Sequence, residues 1–321
     1  MEKDLVSIIV PTYNRARTLK TSISSLTCQT YDNIEIIIVD DGSIDNTQEL
    51  VSSINDSRVR YIKLDKNYGA CYARNIGIKA SLGKYIMFND SDDTFDSKKV
   101  ETQYKNLLAN ESDMDFCKLR IHSDDTIIEI PTESQLDDIN KNGLVTELCK
   151  ANFISTQSFI VKKSILEKYL FDESLPRLQD YDLFLRMVPH IKVSFTNEFL
   201  ADLYRQTDSI SRSNVRLSEA IGIMYAKEYD LSRRNMESLH QQIFRINENL
   251  SSYMNLLETN LQSSQSDVEK LNSELEEMTK NLQRIKREKE EIEQKYYKVV
   301  NSRVWKFFDK ARRIGKNVIR K

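Results

Sequence analysis

Three carboxylates follow an apolar run within four residues of one another, a spacing suited to binding a metal ion. The run, residues 85–88 (YIMF), has the length of a buried strand and no helical spacing. Asp90, Asp92 and Asp93 come just after it, where like charges at the edge of an apolar core repel one another. Oxygen ligands suit Mg²⁺ or Mn²⁺, and such a cation offsets the repulsion. The alternative is a solvated acidic turn that caps the next helix.

Two earlier apolar runs also end in polar clusters. Residues 5–10 lead to a polar turn at 12–15, and residues 34–39 lead to one at 40–43. Helices are predicted between these runs at residues 18–27, 45–54 and 70–80, with a further strand at 59–64. The alternation predicts an α/β domain with a mostly parallel sheet and helices on both faces. Because ligands bind at the carboxyl ends of such strands, we expect the three clusters to meet at one sheet edge.

The chain after the third polar cluster is less regular. A strand is predicted at residues 113–122, and edge strands are predicted at 159–163 and 191–195. Residues 96–142 carry no recognisable motif.

Composition excludes several classes of protein. The 321 residues have a formal net charge of −2, which argues against a nucleic-acid partner. Four widely spaced cysteines predict reduced core thiols rather than disulfides or a zinc site: Cys28, Cys71, Cys117 and Cys149. We see no secretory signal, no GxGxxG, no P-loop and no apolar run near the ~20 residues that span a membrane. The prediction is a cytoplasmic protein, at most peripheral on the inner face of the cell membrane.

Several motifs occur in an order that resembles the family 2 glycosyltransferases, which have the GT-A fold. They are VSIIVPTYNR (6–15), IIIVDDGSIDNT (36–47), NYGACYARNIGIKAS (67–81), KYIMFNDSDD (84–93), LQDYDLFLRM (178–187) and LYRQTDSIS (203–211). The resemblance implies a Rossmann-like, mostly parallel sheet. It also implies metal-dependent, inverting transfer of a hexosyl or N-acetylhexosaminyl group from a nucleotide sugar, with UDP as the expected nucleotide. The acceptor would be a hydroxyl of a glycan or lipid-linked molecule in bacterial surface polysaccharide synthesis.

The resemblance assigns roles to single residues. The nucleotide site would comprise Pro11, Thr12, Tyr13, Asn14, Asp40, Asp41, Arg74, Asp90 and Ser91. Asp40 would bind the base, with Asp41 beside it, and Arg74 would lie at the diphosphate. The DxD motif begins at Asp90, and Asp92 or Asp93 would be the carboxylate that binds Mn²⁺ or Mg²⁺. The alternatives are an ordinary turn at Asp40 and a surface or ion-pairing role for Arg74.

The catalytic base of the family is the Asp of a Glu-Asp pair, which here reads Gln179-Asp180. Asp180 is therefore the predicted base, since a carboxylate near its reference pKa of ~3.9 is ionised at neutral pH. Loss of the acidic neighbour at Gln179 should lower the pKa of Asp180 relative to a Glu-Asp pair. The alternative for Asp180 is the N-cap of a helix at 181–187.

A loop that closes over the donor is also implied. Its predicted residues are Arg205, Ser209 and Ser211, and Arg186 would bind a phosphate or carboxylate or else anchor its own helix. Many relatives have a histidine near Thr207, and this chain has none there. We therefore expect fewer protein ligands on the metal, as is usual for Mg²⁺ held between a carboxylate and phosphates.

The C-terminal third has the periodicity of a coiled coil. Apolar residues recur at spacings of three and four over residues 236–296, which predicts a homo-oligomer, with a helix folded back on the catalytic domain as the alternative. Residues 301–321 form a basic amphipathic pattern that favours an anionic membrane surface, with a partner protein as the alternative. The predicted domains are 1–215 (GT-A), 216–300 (helical linker and coiled coil) and 301–321 (basic amphipathic helix).

Two other functions fit part of the pattern. A sugar-nucleotide pyrophosphorylase has a similar first half, but the PTYNR segment after the first strand is not a glycine-rich phosphate loop. A coiled-coil scaffold with an inactive nucleotide-binding domain is the non-enzymatic alternative, and the presence of Asp92, Asp93 and Asp180 together argues against it.

Overall fold

The computed structural model describes residues 3–123, 126–205 and 214–301. Its strands are β1 (Val6–Thr12), β2 (Ile34–Asp40), β3 (Val59–Lys63), β4 (Tyr85–Phe88), β5 (Thr94–Phe95), β6 (Met114–Ser123), β7 (Thr126–Ile130), β8 (Phe159–Lys162) and β9 (Val193–Tyr204). Its α-helices are α1 (Ala16–Thr27), α2 (Thr47–Ser52), α3 (Ala70–Ala80), α4 (Lys99–Ala109), α5 (Glu133–Asn142), α6 (Leu144–Leu148), α7 (Lys163–Leu166), α8 (Gln179–Met187), α9 (Asn214–Ala226) and α10 (Arg233–Asn301).

These strands form a sheet in the order β3-β2-β1-β4-β8-β6-β9-β5, and β7 pairs with β6 beside this path. β3, β2, β1 and β4 are parallel to one another, and so are β6 and β9. β8 runs antiparallel to both of its neighbours, β4 and β6. The predicted α/β fold is confirmed, and its first four strands are the parallel group that the sequence indicated.

One of the two predicted edge strands, residues 159–163, lies inside the sheet, so that part of the prediction is wrong. β8 lies between β4 and β6, whereas residues 193–195 of β9 pair with β6, and β9 pairs with β5 further along, at Ala201 and Asp202. Phe159, Ile160 and Val161 of β8 are fully buried, because an interior strand has both faces covered. A strand with both faces covered requires an unbroken run of apolar residues, and this run of three was the signal in the sequence for an interior strand.

The core has two layers, one on each face of the sheet. Side chains alternate across a strand, so Ile9 packs in one layer while Ile8 and Val10 pack in the other. α3 and α8 cover the first face, and α1 and α4 cover the second. Complete burial of β1 and β2 accounts for their nearly continuous apolar sequences.

The cysteine prediction holds for three of the four residues. Cys71, Cys117 and Cys149 are buried free thiols, whereas Cys28 is exposed at the end of α1. Cys28 is thus not a core residue, because it follows the last buried residue of that helix, Leu26.

The start of α10 belongs to the compact unit Met1–Leu250. Leu239, Ile243 and Leu250 are buried in its core, and Met236 and Ile246 pack against that core. The predicted intermolecular seam is therefore wrong for residues 236–250, where the periodicity serves packing within the chain. α9 contributes buried side chains to the same core.

The second unit, Ser251–Lys321, is described as far as Asn301, where α10 ends. Its described apolar residues are 54–68% exposed: Val268, Leu271, Leu275, Met278, Leu282, Ile285 and Ile292. Among the described helices, none is both long and apolar enough to cross a membrane. The predicted basic amphipathic helix lies outside the described residues from 302 onward.

Candidate active site

The first two polar clusters meet because β1 and β2 end side by side. Thr12 and Asp40 are register partners at the ends of these parallel strands. Asp40 is fully buried and accepts a hydrogen bond from the backbone N–H of Ser43 at 2.8 Å and another from the Tyr61 hydroxyl. The Asp40 carboxylate therefore holds its own turn in place, as well as lying at the predicted base-binding position.

Asn14 joins the turn after β1 to the turn after β2. Its backbone N–H donates to Ser43 Oγ at 2.8 Å, and its Oδ1 accepts from the backbone N–H of Ile44 at 2.9 Å. Its φ of +51° lies in the left-handed region, which asparagine tolerates better than most residues. Next to it, Tyr13 is partly exposed and Pro11 is buried.

Asp41 fixes the turn that precedes α3. It accepts hydrogen bonds from the backbone N–H groups of Tyr68 at 2.8 Å and Gly69 at 2.7 Å. Gly42, with φ +76°, lies so close to this turn that a Cβ atom would come within 2.6 Å of the Lys66 carbonyl carbon. Asp41 and Gly42 thus hold the turn after β2 against the N-terminal side of α3, the helix that carries Arg74.

One glutamine side chain joins two carboxylates of the third polar cluster, in the loop after β4. Gln157 Nε2 donates to Asp90 Oδ2 and to Asp93 Oδ2, at 2.7 Å in each case. Arg74 Nη2 donates to Asp90 Oδ1 at 2.7 Å, and the backbone N–H of Tyr204 donates to Asp93 Oδ1 at 2.9 Å. The loop after β4 is therefore tied to α3, to the turn before β8 and to the end of β9.

The two predicted metal carboxylates differ in how deeply they are buried. Asp93 is buried, and both its oxygens accept protein hydrogen bonds, whereas Asp92 is partly exposed. Burial, together with the negative charges of Asp90 and Asp92, raises the pKa of Asp93 well above its usual range. Within the described ranges, no group of three or more His, Cys, Asp or Glu side chains has the arrangement of a metal site.

Three buried polar atoms at this edge have no hydrogen-bond partner among the described residues: Thr12 Oγ1, Arg74 Nε and Asn89 Oδ1. The first two belong to residues that the sequence assigned to nucleotide binding. Buried polar atoms normally have a partner, so these two are suited to a polar ligand. Ser91, in the loop after β4, is also buried.

Asp180 lies in the first turn of α8, within electrostatic reach of Arg74 and Asp90. The backbone N–H of Tyr181 donates to Asp180 Oδ1 at 2.7 Å, and Asn152 Nδ2 lies 3.5 Å from the same atom. Burial raises the pKa of Asp180, an effect that the Tyr181 N–H and Arg74 oppose and that Asp90 increases. The expectation of a pKa near the reference value therefore missed the effect of burial.

Arg177 lies close to both Asp180 and Arg205, and of the two arginines the sequence predicted only Arg205. Burial and the charge of Arg205 lower the pKa of Arg177, while the nearby Asp180 charge raises it. Arg177 precedes Asp180 by three residues, and the signal for it was a cation directly before the motif. Gln157 was also missed, although its segment STQS is a polar run beside the apolar β8.

Two of the predicted donor-loop positions, Ser209 and Ser211, lie outside the described residues. Arg205 follows β9, and its backbone N–H donates to the His122 carbonyl at 3.0 Å. Arg186 donates to Asp182 Oδ2 at 2.9 Å and to the Leu170 carbonyl at 2.9 Å. These contacts are those of a helix anchor, the second of the two interpretations of Arg186.

The sequence model described as Glycosyl transferase family 2 matches residues 7–170. The Escherichia coli protein UDP-Glc:alpha-D-GlcNAc-diphosphoundecaprenol beta-1,3-glucosyltransferase WfgD is 32% identical over 215 residues, covering 67% of this chain and 82% of that protein. WfaP of the same organism, described with the same activity, is 33% identical over 221 residues, covering 68% of this chain and 83% of WfaP.

Solved structures show the same architecture at low sequence identity. S. aureus TarS 1–349 superposes with a TM-score of 0.59 at 20% identity, covering 75% of this chain and 72% of TarS 1–349. The mannosyltransferase PcManGT of Pyrobaculum calidifontis, solved with GDP-Man and Mn²⁺, superposes with a TM-score of 0.58 at 14% identity, covering 76% of this chain and 70% of PcManGT. These likenesses define a GT-A-like α/β fold.

Fold and strand-end site thus place the protein among the GT-A-like transferases. The chain belongs to glycosyl transferase family 2, and it is a glycosyltransferase rather than a sugar-nucleotide pyrophosphorylase.

Proposed function

We propose that the chain transfers a sugar, with inversion, from a UDP-linked donor to a hydroxyl of a lipid-linked glycan in bacterial surface polysaccharide synthesis. The observation that supports this proposal is that the Asp180 carboxylate lies near enough to Arg74 and Asp90 for their charges to act on it. A base at Asp180 would therefore lie beside the residues expected at the donor diphosphate. WfgD and WfaP are described as using UDP-Glc and a diphosphoundecaprenol-linked GlcNAc, so glucosyl transfer to such an acceptor is the first activity to test.

The donor would lie across the ends of β1, β2 and β4. The uridine would occupy the side formed by Pro11, Thr12, Tyr13, Asn14, Asp40 and Asp41. Thr12 Oγ1 and Arg74 Nε, which have no partner among the described residues, would donate to polar atoms of the nucleotide. Arg177 and Arg205, close enough to repel each other, gain stability from a shared anion such as the diphosphate.

Asp92 is the proposed metal ligand. Asp93 uses both oxygens to hold Gln157 and the Tyr204 N–H, so its role is to position the loop. Bound Mn²⁺ or Mg²⁺ would supply Lewis-acid stabilisation of the charge that develops on the leaving diphosphate. One carboxylate ligand fits a metal whose other ligands are phosphate oxygens and water.

Asp180 is the proposed general base. The Tyr181 N–H holds the carboxylate, which takes the proton as the acceptor hydroxyl attacks the anomeric carbon. Attack from the face opposite the leaving group converts an α-linked donor into a β-linked product. An open groove of about 550 Å³ borders the loop before Asp180 and is lined by Ser174, Pro176, Ser218, Glu219, Gly222 and Ile223. We assign the acceptor to this side of the base.

A panel of UDP-sugars with a synthetic GlcNAc-diphosphate-lipid tests the proposal, with and without Mn²⁺ and with EDTA. We expect one donor to be used, activity to require the metal, and NMR of the product to show a β linkage. Retention of the α configuration, or full activity in EDTA, contradicts the proposed mechanism. No turnover with any donor favours the inactive nucleotide-binding domain.

We further propose that the exposed part of α10 pairs with a second copy of the chain. Six of its seven exposed apolar residues repeat at alternating spacings of three and four from Val268 to Ile285, and Ile292 follows seven residues later, the spacing of a two-stranded seam. Paired helices would bring two copies of the basic segment 301–321 to an anionic membrane surface, where linked weak sites act together. The enzyme would then work as a cytoplasmic, peripheral protein.

Light scattering tests the pairing. Leu275→Lys with Leu282→Lys places charges in the seam, and we expect this variant to be monomeric while the unaltered protein is an oligomer. Glu276→Lys with Gln283→Lys, one residue later on the helix, is the control and should remain oligomeric. A monomeric unaltered protein contradicts the proposal.

A further inference from the structure

A second carboxylate lies on the helix of the proposed base, and it is completely enclosed. Asp182 follows Asp180 by two residues and has no exposed surface. Its Oδ2 accepts from Arg186, whose Nη2 lies 2.8 Å away, and its Oδ1 accepts from Lys227 Nζ at 2.6 Å and the Tyr229 hydroxyl at 3.0 Å. Both oxygens of this carboxylate are thus held by side chains from outside the first turn of α8.

Lys227 also binds the loop that leads into α8. Its Nζ lies 2.5 Å from Asp172 Oδ2, so one ammonium group bridges the carboxylates of Asp172 and Asp182. Burial would raise the pKa of Asp172, but Lys227 and the N–H and hydroxyl of Ser174 lower it to about 2. The Asp172 carboxylate is therefore ionised at any physiological pH.

The same loop is tied to the helix that carries Arg74. Asn75 Nδ2 donates to the Phe171 carbonyl and to Glu173 Oε1, both at 2.9 Å, and the Phe171 N–H donates back to Asn75 Oδ1 at 3.0 Å. The Arg74 guanidinium lies 5.4 Å from the centre of the Phe171 ring. A continuous set of contacts thus runs from Arg74 through this loop to Lys227 and α8.

The first turn of α8 needs such restraint. Leu178, directly before the helix, has φ +61°, a left-handed conformation that costs a residue with a side chain about 1–2 kcal/mol. Strained backbone of this kind persists only where surrounding contacts enforce it. Asp180 lies two residues after the strained position, so its placement depends on what holds both sides of the turn.

We propose that Lys227 and Tyr229 are positioning residues for Asp180, acting through Asp182 and Asp172. They lie in the segment between α9 and α10, beyond the family match at residues 7–170. The inference rests on the proposed role of Asp180. It makes the link to α10 part of the catalytic apparatus rather than a tether to the C-terminal helix.

Lys227→Met and Tyr229→Phe test the inference in the full-length protein. A displacement of about 1 Å at a reacting group costs up to about a hundredfold in rate, so we expect kcat to fall tenfold to a hundredfold. KM for the donor should stay within about twofold. The acidic limb of the pH–rate profile should move, because the surroundings of Asp180 change. Lys227→Arg keeps the charge and should recover most of kcat.

Two matched controls separate positioning from general stability. Lys162→Met removes a comparable ion pair, with Asp113 at 2.7 Å, and Tyr104→Phe removes a comparable hydrogen bond, to Asp4 at 3.1 Å. Both should keep kcat and the pH profile.

The outcomes also distinguish this inference from the proposed function. If Asp180→Asn abolishes transfer while Lys227→Met and Tyr229→Phe retain full kcat and an unmoved pH profile, the positioning role is wrong and the function stands. If Lys227→Met does not fold, Tyr229→Phe alone decides by the same readouts. If the unaltered protein transfers no sugar, the proposed function fails, and the positioning role fails with it.

Discussion

Asp180 and Asp182 are the same residue type on one short helix, yet their surroundings are opposite. Asp182 is enclosed by Arg186, Lys227 and Tyr229, which satisfy both of its oxygens. Asp180 receives a close hydrogen bond from its neighbour's backbone N–H, and burial raises its pKa. The difference teaches that full compensation marks a structural carboxylate, and incomplete compensation marks one suited to proton transfer.

The largest expected effect is at Asp180. Asp180→Asn removes the base, and we expect kcat to fall about 10³-fold or more while UDP affinity measured by calorimetry stays within about twofold. Folding stability should not fall, since burial disfavours the charge that this substitution removes. A variant that retains more than a tenth of the activity contradicts the assignment of the base.

The reverse result is expected at Asp182. Asp182→Asn leaves Arg186 and Lys227 facing a neutral group, and breaking a buried pair costs 3–5 kcal/mol. Because Arg186 is 26% and Lys227 22% exposed, we expect a loss at or below the lower limit of that range, about 2–3 kcal/mol, in urea unfolding. Asp113→Asn, which breaks the more exposed pair with Lys162, is the control and should cost less than about 1 kcal/mol. Equal losses from the two variants would remove the distinction between these carboxylates.

The smallest effect is on the pH dependence of transfer. Transfer requires an ionised base, and burial raises the pKa of Asp180. As the pH is lowered, kcat/KM should therefore begin to fall at a higher pH than it would with an exposed aspartate as the base. Arg74 lowers this pKa, and Arg74→Met should therefore move the acidic limb further upward. Lys162→Met, distant in the sequence from both groups, serves as the control. An acidic limb at or below pH 4 in the unaltered enzyme would show that burial does not govern this group.

A similar comparison applies to α10. One apolar periodicity runs along the helix, but Leu239 and Ile243 are buried in their own unit, while Leu275 and Leu282 are exposed. Spacing predicts that a helix has an apolar face, and it does not predict which surface covers that face. The alternative prediction from the sequence, a helix folded back on the catalytic domain, was therefore correct for the first turns of α10.

The sequence by itself determined the parallel strands, the polar clusters at their ends and the family. These depend on local signals, namely short apolar runs and the residue types that follow each run. The tertiary structure decided which carboxylates are enclosed. Asp93 and Asp92 are adjacent in sequence, yet Asp93 is buried and accepts hydrogen bonds from Gln157 and Tyr204, whereas Asp92 is partly exposed. It also decided the partners of Asp182, because Lys227 lies 45 residues away along the chain. Charge compensation depends on such distant contacts, which the order of residues along the chain does not specify.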